Sequence, residues 1–262
     1  MKWEYGEISV NRIDLSGKHA AVTGGSSGIG AAVVCSLAAA GASVSVMARK
    51  RSHSAEAEKM YDDPKVAFIE LDVSDSKAVT RVFADLAARN GIDIAVLAAG
   101  LLSAGKLLDT DDETWRRTMA VNLDGLFYTA RESIRHMMTQ GRGGKVVSIG
   151  SISGYQGNQG FAAYCTSKGG ALNFTRQVAM DYALHGINVN AVAPGYIYTP
   201  MTDIYDKNTK AKFAAQTPDG KWGTPQQIAD AVMFLSSSLA DHIHGQSILV
   251  DGGWTLGVFT QP

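Results

Sequence analysis

Two short runs, Ala20-Ala21-Val22 and Ile94-Ala95-Val96-Leu97, carry apolar side chains at odd and even positions alike. Successive side chains of a strand point to opposite faces, so a strand that is apolar throughout must be covered on both sides. A solvated antiparallel sheet would alternate apolar and polar residues instead. Segments of helical period stand between such runs. Ile29, Val33, Leu37 and Ala40 form one stripe, with Gly41 as a left-handed stop. Val79, Val82, Phe83 and Leu86 form another, in a helix opened by Asp75 and closed by Gly91. Strands are expected over 19–23, 43–47, 66–71, 92–98, 145–149, 187–193 and 247–250. Helices are expected over 29–40, 75–90, 111–138, 162–184 and 226–236. Strand–helix alternation of this kind predicts an α/β fold, a Rossmann-like doubly wound parallel sheet of about seven strands with helices on both faces. Residues 1–262 hold no internal repeat, low-complexity tract or Pro/Ser-rich linker, so a single domain is expected. Only 196–224 lacks clear periodicity, which suits a substrate loop or lid.

Composition removes several classes of function. With 24 Lys plus Arg against 25 Asp plus Glu, the formal net charge is −1, and nucleic acid or an anionic membrane is not the expected partner. Two cysteines, Cys35 and Cys165, make no disulfide framework, and a reducing, cytoplasmic setting is expected. Met1-Lys2-Trp3-Glu4-Tyr5-Gly6-Glu7 carries two acids and no apolar core, so no signal peptide is read there. The small-apolar run from Ala31 to Ala42 is too short to span a bilayer.

Thr23-Gly24-Gly25-Ser26-Ser27-Gly28-Ile29-Gly30 lies directly between the first strand and the first helix. Glycines permit the tight turn and let backbone approach a pyrophosphate, while helix N–H groups face the anion. An ordinary glycine-rich loop is the plain alternative, but the strand–turn–helix context is the one that dinucleotide binding requires. Contacts are therefore expected from Gly24, Ser26, Ser27, Gly28, Ile29 and Gly30. An NAD(H) site wants a carboxylate at the end of the second strand, about 20 residues on. Here Arg49-Lys50-Arg51 stands instead. The run favours NADP(H), with Arg49 as the first contact for a 2′-phosphate; NAD(H), or a merely solvated basic run, stays open. Asp72 is expected at the same sheet edge near an adenine, or else as a plain loop acid.

Tyr164 and Lys168 fall one turn apart at the start of a predicted helix. A free phenol, with a pKa of about 10, exchanges protons poorly at neutral pH, and a nearby ammonium favours the phenolate. A surface Tyr and Lys would be the bland reading of this spacing alone.

Taken together these residues resemble the short-chain dehydrogenase/reductase family, from about Leu15 to Gly253. The resemblance rests on the Thr-Gly-x-x-x-Gly-x-Gly turn, on Asn122 within Val121-Asn122-Leu123, and on Ser151 ahead of the Tyr164/Lys168 pair. Pro194-Gly195-x-Ile197-x-Thr199 and Val250-Asp251-Gly252-Gly253 extend it. It implies an oxidoreductase that interconverts a ketone and a secondary alcohol by direct hydride transfer, without metal. Tyr164 is then the general acid/base, Lys168 holds the nicotinamide ribose and depresses the Tyr164 pKa, and Ser151 bonds the substrate oxygen. Asn122 is implied to position a water in a proton relay. Val73, Ala99 and Gly100 are implied cofactor contacts, and Pro194, Gly195, Ile197 and Thr199 the nicotinamide side of the cleft. A homotetramer, built through the two long helices and the C-terminal strand region, is implied as well.

Two departures stand out. The family's usual Asn-Asn-Ala-Gly is Leu97-Ala98-Ala99-Gly100 here, and Ser27 is neutral where many NADP-preferring relatives are basic. Two alternatives remain: an NAD-dependent alcohol or polyol dehydrogenase of the same fold, and a non-catalytic cofactor sensor. Ser153 competes with Ser151, but its distance from Tyr164 does not match the family spacing. Loops 101–106, 155–161 and 196–222 are expected to form the substrate pocket, with Tyr155, Gln156, Tyr196, Met201 and Phe213 as lining. Gln156, Asn158 and Gln159 beside aromatic residues point to a polyol or sugar-derived ketone. His242 and His244 make too small a set for a metal, Asn190 reads as a structural amide, Cys165 as unreactive, and Trp222 and Trp254 as packing residues.

Overall fold

β1 (His19–Thr23) is buried at every position, and the sheet grows outward from it. In the computed structural model, which describes residues 13–259, β1 pairs in parallel with β2 (Ser43–Ala48) on one side and β4 (Ile94–Leu97) on the other. The reading of Met1–Glu7 lies outside the described residues. With β3 (Val66–Glu70), β5 (Gly144–Ile149), β6 (Ile187–Pro194) and β7 (Ser247–Val250), the seven strands run in the order β3-β2-β1-β4-β5-β6-β7, all parallel. The chain leaves β1 in opposite directions, so a crevice opens where the order reverses, beyond the carboxyl ends of β1 and β4.

Each face of the sheet has its own core. Ala20, Val22, Ile94 and Val96 pack beneath α1 (Gly28–Ala39) and α8 (Pro225–Leu235), while Ala21, Ala95 and Leu97 face the opposite way. That second core receives α3 (Ser76–Asn90), α5 (Gly125–Gln140) and α6 (Ala162–Tyr182). This is the two-sided cover that the apolar runs demanded.

Several boundaries differ from the sequence reading, each for a local reason. β4 is shorter than 92–98 because the Gln140 side chain takes both backbone groups of Ile92, at 2.7 and 2.8 Å. The region 111–138 divides into α4 (Asp112–Met119), a wider π-type turn over Ala120–Asp124, and α5. α2 (Ala55–Tyr61) escaped the sequence reading; it is two turns long, and Ser54 caps it by accepting from the Ala57 N–H at 3.2 Å. α7 (Lys207–Gln216) forms inside the 196–224 loop. On α1 the buried face is broader than the expected stripe and takes in Gly30, Val34 and Ala38, while Ile29 and Ala40 are only partly covered. Among the described residues, no helix is long and apolar enough to cross a membrane.

One buried group at the amino end of the interior strand β1 carries a pH prediction. The His19 ring lies between the Gly91 carbonyl, 2.5 Å from Nδ1, and the Ser45 hydroxyl, 2.9 Å from Nε2. Burial holds its pKa below the ordinary 6.5, against the Gly91 carbonyl and the Asp93 charge, which favour the proton. The unfolded chain therefore binds this proton more readily than the folded one, so stability is lost as pH falls below about 6.5. Urea unfolding between about pH 7.5 and 5.5 is expected to show that loss, with a shallower slope in His19→Gln. Equal slopes would remove His19 from the acid response.

Candidate active site

The glycine turn forms the floor of the crevice. Gly24 has φ +68°, and a Cβ there would stand 2.7 Å from the backbone of Ala98 and Ala99, so strand-end backbones can approach only because the side chain is absent. A Cβ on Gly30 would overlap the Gly24 carbonyl, which fixes how closely α1 sits behind the turn. Ser27, extended at φ −157°, begins α1 without a side-chain cap, leaving the helix N-terminus open toward the crevice.

The crevice is a cleft of about 640 Å³, within the usual range for small-molecule and cofactor sites. Gly24, Ser26, Ser27, Gly28, Ile29 and Gly30 line it at the turn. Arg49, Asp72, Val73, Ala99 and Gly100 line it at the ends of β2, β3 and β4. Pro194, Gly195, Ile197 and Thr199 line it after β6, and Ser151, Tyr164 and Lys168 complete it. One expected member is displaced. Asn122 is buried in the π-type turn and lines a small adjoining cavity. Its amide accepts from the Leu101 N–H at 2.9 Å and donates to the Leu101 carbonyl at 3.0 Å and to Ser167 Oγ at 3.1 Å. Its side chain thus ties down the loop after β4, and both ends of the amide are engaged. Val121, its neighbour, reaches the cleft.

The basic run splits in function. Arg51 is consumed by Glu58 at 2.8 Å, and its guanidinium lies 4.3 Å from the centre of the Tyr61 ring. Arg49 and Lys50 line the cleft. Asp72 accepts from the backbone and hydroxyl of Ser74 at 2.9 and 2.7 Å. Burial opposes ionisation of this carboxyl, but those bonds and the Arg49 charge hold it below its usual range.

At the opposite end, Tyr164 and Lys168 rise from the first turns of α6, with Lys168 Nζ 5.8 Å from the Tyr164 ring centre. Lys168 is buried and donates to the Ile149 carbonyl at 2.8 Å. The electrostatic balance differs from the sequence expectation. Burial pushes the Tyr164 phenol up to about 12, partly countered by the Ser151 hydroxyl, and burial alone pushes Lys168 down to about 8. Desolvation disfavours the charged form of each, and at this separation it outweighs their attraction.

The substrate side was the least legible. Tyr196 and Met201 line the cleft as expected, whereas Tyr155, Gln156 and Phe213 are not among its lining residues. The exposed Tyr155 sends its hydroxyl to the Ser247 carbonyl at 3.1 Å, and Phe213 stacks on Tyr196 with ring centres 4.5 Å apart. Asn158, read from the sequence as a pointer to a polar substrate, lines the cleft, as do Phe161 and Tyr205 from the expected loops 155–161 and 196–222. Trp222 and Trp254 pack against Tyr196, at 5.3 and 4.8 Å, as the packing residues they were read to be. Asn190 is a satisfied amide between the Ile243 carbonyl and the Gln246 N–H.

A doubly wound α/β sheet with a glycine turn at its crevice, whose cleft joins a serine, a tyrosine and a lysine, defines a class of oxidoreductase. The chain belongs to the short-chain dehydrogenase/reductase family: a family model described as enoyl-(acyl carrier protein) reductase matches residues 24–255. It is 38% identical to a galactitol 2-dehydrogenase (L-tagatose-forming) of Cereibacter sphaeroides, over 92% of this chain and 96% of that one. It is 37% identical to a 3-oxoacyl-(acyl-carrier-protein) reductase of Escherichia coli (strain K12), over 92% and 98%. Among solved structures it is similar to a gluconate 5-dehydrogenase from Burkholderia cenocepacia J2315 in complex with NADP and tartrate. That likeness has a TM-score of 0.87 and 32% identity, over 94% of this chain and 98% of the other.

Proposed function

We propose that this protein is an NADP(H)-preferring oxidoreductase that interconverts a ketone and a secondary alcohol, with Tyr164 as general acid/base. The observation that carries this reading is the convergence of Ser151, Tyr164 and Lys168 in the cleft that the glycine turn also lines. The residues present fit a nicotinamide dinucleotide, since the side chain missing at Gly24 leaves room for close backbone approach and Arg49 and Lys50 stand at the end of β2. A bound nicotinamide supplies or accepts the hydride at the reacting carbon.

The chain's own residues handle binding and the proton. Gly24 to Gly30 hold the pyrophosphate, Arg49 and Lys50 a 2′-phosphate, and Lys168 the ribose hydroxyls. Pro194, Gly195, Ile197 and Thr199 border the nicotinamide. Ser151 donates to the substrate oxygen, and Tyr164 gives that oxygen its proton during reduction. A phenol near 12 is protonated at neutral pH and ready to donate; as a base in alcohol oxidation it must first lose that proton. Asn122 acts as a positioning residue, through the Leu101 backbone. The 196–224 segment closes the substrate side, and the NADP in the gluconate 5-dehydrogenase complex supports the cofactor choice. The galactitol dehydrogenase relative, with Asn158 in the cleft, supports a polyol or sugar-derived ketone. Phe127 and Met138, exposed apolar residues on α5, suit the interface of a homotetramer.

Reduced-nicotinamide absorbance, followed with polyols and their ketones, tests the reading. Oxidation is expected to rise from about pH 6 to 9, as the ionised fraction of the phenol grows, while reduction, which uses the protonated phenol, stays level over the same range. Tight cofactor binding without turnover of any substrate would identify a cofactor sensor instead.

A further inference from the structure

The aromatic rings of Tyr196, Tyr198, Tyr205, Phe213 and Trp222 form one cluster beside the cleft, and all of them belong to the 196–224 segment. Tyr196 is its hub: Phe213 stacks on it with ring centres 4.5 Å apart, and Trp222 lies tilted at 5.3 Å. One further ring joins from outside the segment. Trp254, in the turn after β7, stands edge-on to Tyr196 at 4.8 Å with 77° between the ring planes, and meets Phe213 at 6.3 Å. Edge-to-face contact of this kind is a preferred geometry for aromatic pairs. Tyr196 lines the cleft, whereas Trp254, Phe213 and Trp222 are not among its lining residues. Contacts among the first five rings hold the segment to itself; Trp254 joins it to the sheet.

The turn that carries Trp254 is itself fixed. The Asp251 carboxylate accepts from the Gly253 N–H at 3.0 Å, from the Thr255 N–H at 3.0 Å and from the Thr255 hydroxyl at 2.7 Å. The Trp254 N–H donates to the Asp251 carbonyl at 3.2 Å. On one side the N–H of Gly195, the residue before Tyr196, donates to the Val250 carbonyl at 3.0 Å. On the other the Asp219 N–H donates to the Gly252 carbonyl at 3.2 Å. Gly252 has φ +64°, and a Cβ there would stand 2.5 Å from Asp219 Oδ1 and 2.7 Å from Thr217 Cγ2, so the turn and the chain after α7 approach this closely only without a side chain. Trp254 therefore bears on Tyr196 from a carboxylate-braced turn at the end of a strand, and a ring locked by such packing keeps one orientation.

We infer that Trp254 is a positioning residue that acts through Tyr196: it sets the width of the cleft there, and with it the size of ketone substituent that the site accepts. This deepens the proposed function and rests on it. Trp254 does not reach the cleft; it stands behind a wall residue and keeps that wall from withdrawing. Replacing the indole by a methyl group leaves a space into which the Tyr196 ring can retreat, and the cleft then admits a bulkier substituent.

The test is the ratio of kcat/KM for acetophenone to that for butan-2-one, both reduced with NADPH. Trp254→Ala is expected to raise the ratio about tenfold, and Trp254→Phe, which keeps a ring against Tyr196, to hold it within about threefold of wild type. A merely structural role would lower both activities together. A rise of less than about threefold in Trp254→Ala, or an equal rise in Trp254→Phe, would therefore overturn the inference. Should Trp254→Ala fail to fold, Trp254→Leu, which removes the ring and keeps apolar bulk, is read the same way. If the wild type reduces neither ketone, that failure belongs to the proposed function, and crystal structures of the wild type and Trp254→Ala decide the positioning role. A Tyr196 ring displaced in the variant supports it, and a ring that stays in place overturns it.

Discussion

Tyr164→Phe is expected to lower turnover by roughly three orders of magnitude while leaving the dissociation constant for the cofactor within about threefold of wild type. The substitution removes one oxygen and keeps the ring, so the wall of the cleft survives. What disappears is the donor that gives the substrate oxygen its proton. Positioned general acid–base groups contribute about 10²- to 10⁴-fold, and a thousandfold loss corresponds to about 4 kcal/mol of transition-state stabilisation. Because Tyr164 is pushed up to about 12, what activity survives should also lose the rise of alcohol oxidation with pH. Stopped-flow rates paired with cofactor fluorescence titration separate the two effects. A variant turning over within about tenfold of wild type would take the acid/base role away from Tyr164.

The second large effect is expected at Arg49. Arg49→Asp should move the NADP-to-NAD preference, as a ratio of kcat/KM values, by about 10²-fold or more toward NAD. A hydrogen bond to a charged group contributes about 1.5–3 kcal/mol, and reversing the charge adds repulsion with the 2′-phosphate. Lys50 lines the same end of the cleft and retains part of the affinity, so the double variant Arg49→Asp with Lys50→Ala should shift the ratio further. Arg51 is the internal control, because its guanidinium is held by Glu58 and the Tyr61 ring. Arg51→Ala should move the ratio less than about twofold and cost under about 1 kcal/mol of stability, as an exposed ion pair does. An unchanged ratio in Arg49→Asp, or an equal shift in Arg51→Ala, would defeat the assignment.

These two residues illustrate how unevenly the site could be read beforehand. Tyr164 and Lys168 are four positions apart on one helix, and helical spacing is a local property that survives folding unchanged. Arg49, Lys50 and Arg51 are consecutive, and nothing local separates them. Arg51 is drawn off by α2, a helix of AEAEKMY whose two turns give too little periodicity to stand out. Asn122 was visible as a motif, yet its place in the π-type turn, where its amide is taken up by the Leu101 backbone, was not.

Burial on both sheet faces, the strand–turn–helix at Gly24–Gly30, the basic end of β2 and the Tyr164/Lys168 pair were written into residue order, because each depends on neighbours within a few positions. Folding alone determined which loop side chains meet the cleft. Tyr155 is drawn to the carbonyl of Ser247 and Phe213 to the rings of Tyr196 and Trp254, while Asn158 is turned inward by Ser153 and Cys165. Folding likewise set the direction in which the Tyr164 and Lys168 pKa values move, since desolvation is a property of everything packed around a group. A chain's order specifies its elements through short-range periodicity; the direction of a loop and the cost of a buried charge come from atoms that sequence distance does not bring together.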